Sequence, residues 1–280
     1  MLSKKTIVIM ILSLKGGVGK STIAASLAYF ISEILGLSTA IWDLDITSPS
    51  IPKILGISGK EIEVTKDAII PIKYSNNLKV LSIDFFLPSS DQPIIFKGVR
   101  KASVIQQFLK TVDFGNIDYL ILDTPPTTSE ELITILDLFE RERLNIVFVT
   151  QPSSISNNSV IKSIRYLKEK GYPIKGLLSN MGSAICPNCG NHHQLFYDGG
   201  KSVEDIACEY GIPFLGSIPI GEDMKKSLLV GKHFKSIADN IVSSKSISFK
   251  PTRGKIGTVD KLMLAFSIKR GLKKLEKGDK

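Results

Sequence analysis

The feature that most constrains this chain is Leu14-Lys15-Gly16-Gly17-Val18-Gly19-Lys20-Ser21-Thr22, set between an apolar run over 6–13 and a helical pattern over 23–31. A strand that feeds a glycine turn opening a helix is the setting of a phosphate-binding loop. Glycines let backbone N–H groups turn inward onto phosphates, Lys20 reaches the β- and γ-phosphates, and the Ser21 hydroxyl ligates Mg²⁺. Gly16, Gly17, Val18, Gly19, Lys20, Ser21 and Thr22, with Lys15 at the start of the loop, are the expected nucleotide-binding set.

Strands and helices alternate from residue 5 to 181, which predicts an α/β fold with right-handed crossovers and a mostly parallel, doubly wound sheet. Ser38–Asp43 reads as a strand ending in acids, and Asp43-Leu44-Asp45 continues into a loop whose prolines 49 and 52 exclude a helix directly after it. Carboxylates at strand carboxyl ends lie beside the glycine loop in such a sheet. Asp43 is therefore assigned to the magnesium shell and Asp45 to orienting the attacking water, an assignment in which the two could exchange. Tyr119–Asp123 is a second apolar strand ending in an acid, and Asp123 would accept from a water on Mg²⁺. Asn180 closes a later strand on the same side, where its amide suits the Watson–Crick edge of adenine, hence ATP.

The net charge of +9 resembles a nucleic-acid signal until it is located: residues 244–280 carry eleven Lys or Arg against three acids, so the first 243 residues hold only +1. No specific nucleic-acid groove is expected in the body. The division is a nucleotide-binding domain over 1–243, with a cysteine loop at 182–200, and a basic tail over 244–280. In that tail Leu264, Ile268, Leu272 and Leu275 share one helical face ringed by lysines. Such a helix could lie on an anionic membrane, dock on an acidic protein or pack back on the body. Three cysteines and no apolar stretch near the roughly 20 residues that span a bilayer argue for a soluble protein of a reducing compartment, the cytoplasm. The early apolar run after Lys4-Lys5 reads as a central buried strand and not as a signal peptide, because it leads into the glycine loop.

Between Met181 and a helix near Ser202 stands Cys186-Pro187-Asn188-Cys189-Gly190-Asn191-His192-His193. Two thiolates reach one metal and leave it two ligands short. The residues themselves leave three readings open: a zinc site completed by the histidines, whose spacing is tighter than most fingers; a redox dithiol; or two subunits that each offer two cysteines to one 4Fe-4S cluster. Cys208, at helical spacing with Ile206, reads as a buried small hydrophobe, and the histidines as solvent-side loop residues.

The string Lys-Gly-Gly-x-Gly-Lys-Ser-Thr resembles the deviant Walker A motif of MinD/ParA/Mrp ATPases. In them the extra lysine, here Lys15, reaches across a homodimer to the partner's nucleotide as a catalytic cation. The order Asn180-Met181, Cys186-x-x-Cys189-Gly, Gly199-Gly200 and Gly211-Ile-Pro213…Pro219, with Asp45…Pro49-Ser50-Ile51-Pro52 and Asp123-x-Pro125-Pro126 before it, is similar to the Mrp/ApbC branch over about 5–235. That resemblance implies a slow ATPase and iron-sulfur carrier: Lys15, Lys20 and Asp45 catalytic, ATP and Mg²⁺ bound, and Cys186 and Cys189 holding a 4Fe-4S cluster at a homodimer interface for transfer to apoproteins. Leu14, where the family has Gly, and Thr127-Thr128-Ser129 depart from its pattern. The competing expectation is a MinD/ParA-like positioning ATPase with structural zinc at the cysteines and a membrane- or DNA-binding tail.

Overall fold

A computed structural model describes residue 3 and residues 5–87, 101–126, 130–186, 188–195, 201–220 and 232–251. The switch-like 127–129, the basic residues 97 and 100, Gly199-Gly200 and the tail helix expected beyond 260 lie outside the described residues.

Seven parallel strands form the body in the order β6 (Leu78–Leu81), β2 (Thr39–Asp43), β7 (Tyr119–Asp123), β1 (Ile7–Leu12), β8 (Leu144–Thr150), β9 (Ile174–Ile185) and β11 (Phe214–Ile220). β5 (Ile72–Lys73) adds antiparallel to β6 and β10 (His192–Gln194) antiparallel to β9, while β3 (Glu63–Val64) and β4 (Ile69–Ile70) form a separate ribbon. The early apolar run is indeed the central strand, with Val8–Leu12 fully buried.

Its side chains alternate between two cores, as the period of two in a strand requires. Val8, Met10 and Leu12 join Trp42, Leu120, Leu122 and Phe148 on one face, against α3 (Lys101–Thr111), α4 (Glu130–Asp137), α5 (Ser154–Lys170) and α6 (Val203–Glu209). Ile9 and Ile11 join Ile41, Ile121, Val147 and Val149 on the other, against α1 (Lys20–Tyr29), the short α2 (Ile51–Ile54) and α7 (Lys232–Ser243). The result is a three-layer, doubly wound sandwich around a mostly parallel sheet, as the alternation of elements predicts. Trp42, 1% exposed, packs its ring against Phe108 and Phe114, tying α3 to β2.

The chain leaves β1 toward β2 on one side and later returns to β8 on the other, so the crevice beside β1 is the topological switch point where ligands bind in open α/β sheets. Beyond α7, residues 244–251 stay on the body: Ile247 exchanges both backbone hydrogen bonds with Ile174, and Ser246 Oγ donates to Asn145 Oδ1 at 2.5 Å. Cys208 is exposed and not buried as expected. The short α6 buries Val203, Ile206 and Ala207, and one residue further the helix has turned about 100° toward solvent.

Candidate nucleotide site and cysteine hairpin

The glycine loop joins β1 to α1 with Gly17 and Gly19 at φ of 80° and 83°, the left-handed region that side chains resist. Gly19 is required twice over, since a Cβ there would stand 2.3 Å from the Asn180 amide nitrogen. It stands at the N-cap of α1 with no side-chain cap, which leaves the first helical N–H groups for an anion. Lys15 is exposed at the lip of the loop, and Lys20 is buried at its floor.

Lys20 Nζ lies 2.5 Å from Asp123 Oδ1 and donates to Ser21 Oγ at 3.3 Å. The pairing is forced by position: Asp123 ends β7, is wholly buried and stands in register with Ile11 of β1 and Asp43 of β2. Its second oxygen, Oδ2, is buried without a hydrogen-bond partner among the described residues. A buried carboxylate oxygen left open beside the Ser21 hydroxyl suits a magnesium ion or its water. Burial raises the Asp123 pKa, and Lys20 opposes the shift.

Asp43 is placed differently from what its assignment suggests. Oδ1 accepts from the Asp45 amide at 3.1 Å, and Oδ2 accepts from Ser50 and Ile51 at 2.9 and 3.1 Å and from the Ser82 hydroxyl at 3.4 Å. Asp43 thus ties down the loop that carries Asp45. Burial and then the Asp123 charge push it up to about 8, with the three amides pulling back. Asp45, half-buried, spends Oδ1 on the Thr47 and Ser48 amides, a turn cap on the rim of the same crevice.

Asn180 donates Nδ2–H to the Val18 carbonyl at 2.8 Å, while Oδ1 is buried and unpartnered among the described residues. That leaves an acceptor, which fits the 6-amino group of adenine and not the 6-oxo group of guanine. The next residue, Met181, takes φ 58° and contacts Gln151, whose Nε2 lies 3.4 Å from Met181 Sδ; its methyl group would meet a Cβ added at Gly19. A positive φ outside glycine marks a held, unusual backbone. No sequence signal announced it.

β9 does not stop at Met181, where sequence reasoning ends it, but continues to Ile185 and turns back as β10. The cysteine loop is therefore the tip of a hairpin, closed by Cys186 N–H to Asn191 O and Gly190 N–H to Cys186 O, both 2.9 Å. Cys186 is half-buried and Cys189 exposed, both as free thiols. The backbone N–H groups of Cys189 and Asn188 hold the Cys186 thiol below its usual range. Cys186 Sγ, Cys189 Sγ and a His193 ring nitrogen lie within 4.8 Å of one another.

Residues 4–250 match the ParA family as an NUBPL iron-transfer P-loop NTPase. Among solved structures, a nucleotide-binding protein of Archaeoglobus fulgidus in complex with ADP, with Co found by PIXE, is 30% identical; the match covers 81% of this chain and 87% of that one, with a TM-score of 0.64. The septum site-determining protein MinD of Pyrococcus horikoshii with Mg-ADP is 19% identical over 85% of this chain and 96% of that one, with a TM-score of 0.58. A plasmid partition protein of Borrelia burgdorferi bound to AMPPNP is 22% identical over 85% and 97%, with a TM-score of 0.56. The last two share the fold, and the first, together with the match over 4–250, carries the relationship in sequence: the chain belongs to the ParA family, as a P-loop NTPase of the NUBPL iron-transfer type.

Proposed function

We propose that this protein is an ATP-hydrolysing carrier of iron-sulfur clusters, working as a homodimer. The observation that carries the reading is β9 itself: Asn180 donates to the glycine loop at the Val18 carbonyl, and six residues further, just past the end of the same strand, stands Cys186. At a strand rise of about 3.3 Å per residue, the two sites are some 20 Å apart along one continuous element. The family's iron-transfer role and the ADP held by the Archaeoglobus relative support both halves.

In this reading the loop amides of 16–22 and Lys20 hold the phosphates, and Asn180 Oδ1 accepts from the adenine amino group. Magnesium would be held by Ser21 with Asp123, and with Asp43 nearby; when bound, it neutralises charge on the β,γ-bridging region. Asp45 orients a water that attacks the γ-phosphorus as the bond to the β,γ-bridging oxygen breaks, giving ADP and phosphate. Lys15 reaches the partner's nucleotide and stabilises the charge that develops there. The cluster is cargo, taken by two Cys186/Cys189 pairs and released to apoproteins. The lysine-rich sequence beyond 251 supplies positive charge for contact with a membrane or an acidic protein.

The test is anaerobic reconstitution of the reduced full chain with iron and sulfide. A dimer with about four irons and four sulfides, lost in Cys186→Ala, is expected; a wild-type chain that takes up neither overturns the carrier reading. Separately, Lys15→Ala should retain ATP binding while hydrolysis falls by about 10³-fold or more. Unchanged turnover would remove Lys15 from the mechanism.

A further inference from the structure

The hairpin brings to the cysteines a residue that spacing argued against. His193 pairs directly opposite Ala184, and Cys186, two residues beyond Ala184 and just past the strand's last residue, continues the pairing through its N–H to Asn191 O. Alternation puts Ala184 and Cys186 on one face of the ribbon and, across the ladder, His193 on that face too. His192 pairs opposite Ile185 and falls on the other face. A spacing too tight for a finger thus becomes a workable one, because the chain reverses between Cys189 and His193 instead of running on.

We infer that each protomer, by itself, binds one zinc-type divalent ion through Cys186, Cys189 and His193, with a fourth coordination position left to water or an incoming ligand. The donors already stand within 4.8 Å of one another. A tetrahedral ion with Zn–S of about 2.3 Å needs sulfurs about 3.8 Å apart, so small side-chain rotations close the site. Two thiolates and one imidazole are the soft donor set that selects this class of ion over magnesium or calcium. The Cys189 and Asn188 amides aimed at Cys186 supply the surrounding hydrogen bonds that hold a metal-bound sulfur in place. Three ligands from one chain distinguish this state from the bridging cluster, which takes two sulfurs from each of two chains. The inference concerns the same hairpin but does not need the cluster reading to be right, and the two occupants exclude each other at Cys186 and Cys189.

The probe is Co²⁺ alone, titrated anaerobically into the reduced full-length chain, with visible absorption, metal content and light scattering read together. Expected are tetrahedral cobalt bands with thiolate charge transfer at one Co²⁺ per chain, in a monomer. His193→Ala should weaken binding by about tenfold or more, the range that even surrounding-shell losses reach. His192→Ala and Cys208→Ala should leave it unchanged. Because all three positions are exposed, the variants should melt like the parent, and melting curves check this. Absence of tetrahedral bands, one ion per two chains, or equal effects of His193→Ala and His192→Ala overturns the inference. Iron-sulfide reconstitution of the wild-type chain is read as a separate arm: cobalt uptake without any cluster sinks the carrier reading alone, and a cluster without cobalt uptake sinks this one alone.

Discussion

In the crevice beside β1, Lys20 and Asp123 have side chains 7% and 0% exposed and meet at 2.5 Å, whereas at the tip of β9 Cys189 and His193 stand open to solvent beside a half-buried Cys186. Both are ligand sites in the functional reading, yet only the first has its charges paired in advance. The difference follows from burial. A carboxylate with no access to water must have a cation, and Lys20 supplies it from within the protein. Thiols and an imidazole at the surface keep water within reach and need no paired charge. The crevice therefore links ligand chemistry to fold stability, and the hairpin does not.

The sharpest way to break that contrast is Lys20→Met. It should abolish nucleotide binding and, independently, destabilise the nucleotide-free protein by about 3–5 kcal/mol, because Asp123 is left as an uncompensated buried charge. Denaturant unfolding with and without ATP separates the two effects. Lys20→Met with Asp123→Asn should recover most of the stability and none of the binding. If Lys20→Met melts like the parent, the ion pair does not hold the crevice together.

Next in size is Gly19→Ala. The left-handed φ of 83° alone costs about 1–2 kcal/mol, and the added Cβ falls 2.3 Å from Asn180 Nδ2. Asn180→Ala opens that space while giving up the bond to Val18 O, worth about 1 kcal/mol. The double variant should therefore be more stable than the sum of the two singles indicates. Strict additivity in the cycle would mean that the loop and β9 do not touch in solution.

Why the crevice was readable in the sequence and the hairpin only in part has a physical answer. Phosphate binding needs consecutive backbone amides, so residues 14–22 must be contiguous, and Asp43, Asp123 and Asn180 each follow a recognisable apolar run. The sheet follows from the same apolar runs, down to β1 at its centre. His193 reaches Cys186 through a reversal in Cys-Pro-Asn-Cys-Gly-Asn, and neither Gly182-Ser183-Ala184 nor His192-His193-Gln194 carries the apolar alternation that marks a strand. Met181 keeps β9 going through a conformation that its residue type does not advertise. Asp43 was legible as a site acid but not as an anchor of its own loop, because the four groups it accepts from lie two, seven, eight and thirty-nine residues away.

A smaller effect sharpens the electrostatic side of the comparison. Asp43 is pushed up to about 8 from 3.8 by burial and by Asp123. Between those values the folded state keeps a proton that the unfolded state has released, so stability falls as pH rises through the window and levels off above about 8. Unfolding free energies of the nucleotide-free protein should decline from about pH 5 to about pH 8, and Asp43→Asn should flatten the decline. A parent profile that rises over this range would show that the three amides outweigh burial and keep Asp43 ionised.

The smallest expected change lies at the other end of β9. Substituting Ala for Cys189 removes an exposed side chain, so the unfolding free energy should move by less than about 0.5 kcal/mol and ATP affinity should not move at all. Cys186 is half-buried and receives amide hydrogen bonds, so Cys186→Ala should cost slightly more, on the order of 1 kcal/mol. Metal uptake should nevertheless be lost in both. Adding Co²⁺ to the parent should raise its melting temperature and leave both variants unmoved, because an ion that binds only the folded hairpin stabilises by mass action. If Cys189→Ala instead weakens ATP binding, then the kink at Met181 transmits the state of the hairpin back to the glycine loop, and the two sites form one coupled unit instead of two neighbours on a shared strand.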